Sequence, residues 1–146
     1  MTKSIPRKQS YFTAFQNAKL KLFISENDTT DASLYVGHKD GKLFVFDTDQ
    51  EAKAFFNKEK FSKIDFCFKK LDFGSSRKIQ EKSIVNRDGN MSFDIMSFRY
   101  ERLINSIKSW SISDENGITV PVTKENIDRM DPVLANAILG LCDKLV

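Results

Sequence analysis

The chain has 146 residues and a formal charge of +3, from 23 basic and 20 acidic side chains. That is near the usual size of one domain, and too balanced for net charge alone to imply a polyanionic partner. Hydrophobic residues at 40% and charged residues at 29% exclude a disordered or fibrous chain. No run approaches the roughly 18 to 20 apolar residues of a membrane helix, and the N-terminus MTKSIPRKQS has no apolar core of a signal peptide, so a cytosolic protein without membrane contact is expected.

Charge is distributed unevenly. Lys3, Arg7, Lys8, Lys19 and Lys21 precede the first acid, Glu26, whereas from Ser111 onward Asp114, Glu115, Glu125, Asp128, Asp131 and Asp143 outnumber Lys124, Arg129 and Lys144. The opposite signs of head and tail suit either docking between copies or ordinary solvated surface. Residues 1–18 mix Pro6, bases and the aromatics Tyr11, Phe12 and Phe15 without a sustained period, so they read as an N-terminal arm.

A β-rich half with one helix is expected over 19–76. Leu20, Leu22 and Ile24 alternate with polar neighbours as a half-buried strand would. Ser33 to His38 and Lys42 to Phe46 form a hairpin, because Asp40-Gly41 favours the positive φ angles of a two-residue turn. That turn sets Val36 opposite Val45 and His38 opposite Leu43, and leaves Tyr35, Gly37, Phe44 and Phe46 on the other face. Both faces then carry apolar groups, so the outer one is either covered or presented to a partner. Thr48 with Glu51 makes a capping box for a helix whose inward stripe is Ala52, Phe55 and Phe56. From Lys63 to Phe73, Ile64, Phe66 and Phe68 alternate with Asp65, Cys67 and Lys69 as a further strand, and Gly74-Ser75-Ser76 breaks the pattern.

A helical C-terminal half is expected over 77–146, one continuous domain with the first half being the alternative. Arg77 to Val85 reads as a strand or extended connector, and Asn86 to Asn90 as a turn. Met96, Tyr100, Leu103, Ile107 and Trp110 follow in steps of four and three, which predicts one long helix from Ser92. Pro121 suits an edge strand able to accept a partner strand, and Thr123 can cap a helical turn. Asp131-Pro132 starts a last helix bearing Leu134, Ile138, Leu141 and Leu145, with Gly140 small enough for close approach to the Ser92 helix. The fold class is α+β: an antiparallel sheet with one packed helix, then the helical half.

The inventory for catalysis is thin, and no enzyme activity, cofactor or metal is expected. His38 is the only histidine, no phosphate-loop, dinucleotide or nucleophile-elbow motif occurs, and Asn27 to Asp31 lacks calcium-loop spacing. Asp65 and Asp72 read as the wet positions of a strand, and Cys67 and Cys142 as buried thiols outside any zinc spacing. Bases interleave with aromatics from Lys63 to Lys70, the pattern of a small nucleic-acid-binding module, although burial alone explains the alternation.

Four stretches carry a resemblance over about residues 78–145. They are Lys78-Ile-Gln-Glu-Lys-Ser-Ile-Val followed by Arg87-Asp-Gly, then Leu103-Ile-Asn-Ser-Ile-Lys-Ser-Trp110, then Asp114-Glu-Asn-Gly117-Ile-Thr-Val-Pro-Val-Thr-Lys-Glu-Asn-Ile127, and the Asp131-Pro132 start. In this order they resemble small proteins encoded among the tail and connector genes of tailed bacteriophages. The resemblance implies a virion structural or tail-assembly role in the virion or host cytoplasm, exercised on other phage structural proteins in a symmetric assembly. The candidate partner-binding residues are Arg7, Lys8, Tyr11 and Phe12 of the arm, Tyr35, Phe44 and Phe46 of the hairpin, and Pro121.

Overall fold

The structure, a computed structural model, describes residues 20–146. The expected arm, with Arg7, Lys8, Tyr11 and Phe12, lies outside the described residues. The architecture is α+β: an antiparallel four-stranded sheet in the order β2-β1-β3-β6, helices, and a separate two-stranded ribbon, β4-β5. The strands are β1 (Thr29–Lys39), β2 (Lys42–Phe46), β3 (Ser62–Lys69), β4 (Ile84–Arg87), β5 (Asn90–Phe93) and β6 (Ile107–Trp110). The helices are α1 (Asp49–Phe56), α2 (Phe73–Lys82), α3 (Ile95–Ser106), α4 (Lys124–Asp128) and α5 (Pro132–Leu145).

The β1–β2 hairpin has the register its turn dictates. Asp40 and Gly41 take φ of 56° and 77°, and Val36 pairs with Val45 and His38 with Leu43. Ala32, Leu34 and Val36 therefore share a face with Val45, Ile64, Phe66, Phe68 and Trp110. Leu103 of α3, Ile127 of α4 and Ile138, Leu139 and Cys142 of α5 close over this face to make the core. The opposite face is covered only at its β1–β2 end, by α1. Thr48 caps that helix, accepting from the Glu51 N–H at 3.2 Å and donating to its carboxylate at 3.1 Å, and Ala52 and Phe56 are buried beneath it. A Cβ at Gly37 would stand 2.8 Å from the Phe56 ring, so the absence of a side chain there is what lets the helix settle on the sheet.

Several expectations need correction. Residues 20–24 form no strand, and Leu22 and Phe23 are 78% and 84% exposed. The segment runs instead into a turn in which the Asp28 N–H donates to the Ser25 carbonyl at 3.0 Å and the Asp28 carboxylate accepts from the Ser25 N–H at 2.8 Å. Arg77 belongs to neither a strand nor a connector: 73–82 is helical, with the Asp72 carboxylate accepting from the Ser75 N–H at 2.8 Å. The long helix expected from Ser92 begins only at Ile95, because Ser92 and Phe93 belong to β5, and it stops at Ser106, where the chain passes without a loop into β6, so Ile107 and Trp110 are strand residues. The second half thus supplies an edge strand to the first half's sheet, and both share one core. Asp131 and Pro132 do begin the last helix, which packs on α3. No atom lies close enough to Gly140 to require its lack of a side chain.

Candidate interaction surfaces

The sheet face that α1 leaves uncovered is a polar strip. Asp31, Ser33, Lys63, Asp65, Cys67, Ser109 and Ser111 line an open groove of about 580 Å³ there. Asp65 accepts from the Ser33 hydroxyl at 2.7 Å, and its own N–H donates to the Ser111 hydroxyl at 2.8 Å. Lys63 stands 3.6 Å from the same carboxylate. Hydroxyls, two carboxylates and an ammonium can solvate the sheet or meet a polar partner, but they lack the imidazole that would make a serine nucleophilic. His38 is exposed at the far end of β1. Among the described residues no three His, Cys, Asp or Glu side chains gather as metal ligands. Asp72 is occupied as a helix cap rather than brought to Asp65.

Lys63 and Lys69 share the open face, but Phe66 and Phe68 point the other way and are buried in the core. Base stacking on this strand would therefore have to proceed without its rings. Cys67 corrects the expectation of two buried thiols, being half-buried at the groove, while Cys142 is fully buried. Its sulfur lies 3.3 Å from the Ser106 hydroxyl, and burial raises the thiol's pKa, an effect the Ser106 hydrogen bond and the Arg102 charge partly offset.

The hairpin residues expected to face a partner are engaged within the chain. Phe44 and Phe46 lie 4.6 and 5.1 Å from the Phe55 ring of α1, and Phe46 meets Phe56 edge-on. Tyr35 is half-buried against Phe61. The outer hairpin face is accordingly the covered alternative: its rings gain more by packing under α1 than by waiting in water. Pro121 is exposed but stands in no strand. Its carbonyl accepts from Asn126 Nδ2 at 2.9 Å, while the neighbouring Val120 N–H is spent on the Ile112 carbonyl at 2.8 Å.

The apolar surface left in water is elsewhere. Ribbon β4–β5 pairs Ile84 with Phe93 and Asn86 with Met91 on one face. Met91 is 70% and Phe93 50% exposed, with Ile84, Ile95 and Met96 about half exposed beside them in sequence. At its base the Asp94 N–H donates to the Ser83 carbonyl at 2.8 Å, and Asp94 caps α3 through the N–H groups of Met96 and Ser97. Those bonds, the Ser97 backbone one foremost, hold its carboxyl below the usual range. Phe93 rests 5.5 Å from the Phe98 ring. The signal for this ribbon was present in Arg87-Asp88-Gly89-Asn90, whose Asp-Gly pair has the positive φ angles of the first hairpin's turn, 51° and 82°. Beside this patch on α3, Arg99 bonds Asp143 of α5 at 2.8 Å, and Arg102, 5.1 Å over the Phe98 ring, pairs with the same carboxylate.

No family model, no curated protein and no solved structure matches this chain.

Proposed function

We propose that the chain is a non-catalytic structural or tail-assembly protein of a tailed bacteriophage, acting through protein–protein contacts with other phage structural proteins in a symmetric assembly. The observation that carries this reading is ribbon β4–β5, which sets Ile84, Met91 and Phe93 in water on one face. Large apolar side chains grouped on a surface are retained where a partner covers them. The order of motifs over residues 78–145 supplies the phage context, and the engaged state of Phe66 and Phe68 disfavours the alternative, a nucleic-acid-binding module that reads bases on a Phe-rich sheet.

Co-expression of the tagged chain with the products of the genes flanking its own tests the proposal. One of those products is expected to remain bound through gel filtration, with little loss when salt is raised, because apolar burial is insensitive to screening. Salt-sensitive capture of oligonucleotides without any protein partner would replace this reading with the nucleic-acid one.

A further inference from the structure

We infer that the β4–β5 ribbon is a homotypic interface, in which β5 pairs antiparallel with β5 of a second copy about a two-fold axis at Ser92. The inference deepens the assembly reading above and rests on it. Two independent features point to this occupant. The first is backbone valence. With Asp88-Gly89 as a two-residue turn, Arg87 and Asn90 exchange both hydrogen bonds, and so do Val85 and Ser92. Ile84, Asn86, Met91 and Phe93 therefore aim their N–H and C=O groups away from the ribbon. Among the described residues, none of those groups meets another backbone group outside the ribbon. A lone two-stranded ribbon is marginal in water, and a further strand on its edge removes that weakness.

The second feature is the match in side chains. A two-fold axis through Ser92 sets Met91 of each copy opposite Phe93 of the other. These outward-facing positions then form two reciprocal hydrogen-bonded pairs, and four strands make one continuous sheet across the axis. Ile84, Met91, Phe93, Ile95 and Met96 are each about half exposed or more. The edge contact brings Met91 and Phe93 of the two copies side by side, so each shields part of the other's exposed side chain. Charge does not oppose the approach, since Lys82 and Arg87 accompany Glu81, Asp88 and Asp94 in the same stretch.

The test uses the full chain. Sedimentation of the wild-type protein at concentrations on the order of tens of micromolar is expected to give a dimer, and Met91→Lys at least about a tenfold weaker one, because a lysine on an exposed edge opposes strand addition. Met91 is exposed, so circular dichroism and thermal unfolding of that variant should match the wild type. Ser92→Cys in a Cys67→Ser background supplies the second measurement. Facing positions on the axis lie about 4.5–5.5 Å apart at Cα, within disulfide reach, so mild oxidation should cross-link it into covalent dimers. A wild-type monomer at those concentrations overturns the inference, as does a dimer that persists in Met91→Lys or a Ser92→Cys chain that resists cross-linking. A monomer that still retains a flanking gene product would overturn the homotypic contact alone and leave the assembly reading standing.

Discussion

Trp110 Nε1 donates to the carbonyl of Val120 at 2.6 Å, so the last strand of the sheet is fastened to the extended segment leading into α4. Trp110 is 6% exposed, and its ring belongs to the core cluster shared by both halves of the chain. Trp110→Phe removes the donor and strands a carbonyl, which should cost about 1–3 kcal/mol. Trp110→Ala adds a cavity and should cost about 3–5 kcal/mol. Urea midpoints read by circular dichroism check both, since Trp110 is the sole tryptophan and its fluorescence leaves with it.

Gly37 is a packing requirement rather than a turn. A Cβ would meet the Phe56 ring at 2.8 and 2.9 Å and the Phe61 Cβ at 3.1 Å. Phe56 is buried and stacked on Phe61 at 5.5 Å, so its ring has little room to yield. Gly37→Ala should destabilise by about 1–3 kcal/mol despite the better strand propensity of alanine. Gly41→Ala should be costly for a different reason, its φ of 77°, with open space around it. Chemical unfolding of the two variants alongside the wild type checks the pair, and an unchanged Gly37→Ala midpoint would contradict the packing argument.

Where local chemistry decided the outcome, the fold was legible beforehand. A two-residue Asp-Gly turn leaves one register for β1–β2, and Thr48 and Asp131-Pro132 start helices by bonds that depend on neighbours alone. Tertiary choices were not legible. The steps from Met96 to Trp110 satisfy a helical period, yet Ile107 and Trp110 are also the two buried ends of a four-residue strand. Only the free edge of β3 distinguishes the two. Helix α2 hid because Ile79 is its sole buried apolar residue, too few to show a period. The packing of Phe44 and Phe46 was hidden for the same reason, since on a hairpin they read alike whether covered by a partner or by α1.

The two thiols should differ sharply in reactivity. Cys142 is buried, and desolvation holds its proton in place, while Cys67 lines the open groove. A chromogenic disulfide reagent should modify one thiol of the native protein promptly and the second only on unfolding. Cys67→Ser should abolish the fast phase. Rapid modification of two thiols in native conditions would mean that α5 opens from the core far more readily than its packing implies.

Tyr100 donates to the Asp128 carboxylate at 2.5 Å, linking α3 to α4. Desolvation first, and that hydrogen bond second, push the phenol from 10.0 up to about 12. A phenol whose pKa is higher in the folded than in the unfolded chain stabilises fully below the unfolded value, so the contribution is intact up to about pH 10 and lost as pH rises toward 12. Asp128→Asn removes the charge behind the third cause and weakens the hydrogen bond behind the second, because an amide oxygen accepts less strongly than a carboxylate, but leaves the first. The Tyr100 titration, followed by phenolate absorbance against a Tyr100→Phe reference, should then fall below that of the wild type yet stay above 10.0. Stability of the variant should in turn begin to decline at lower pH than in the wild type. A Tyr100 titration indistinguishable from free tyrosine in the wild-type protein would show that the α3–α4 contact does not persist in solution.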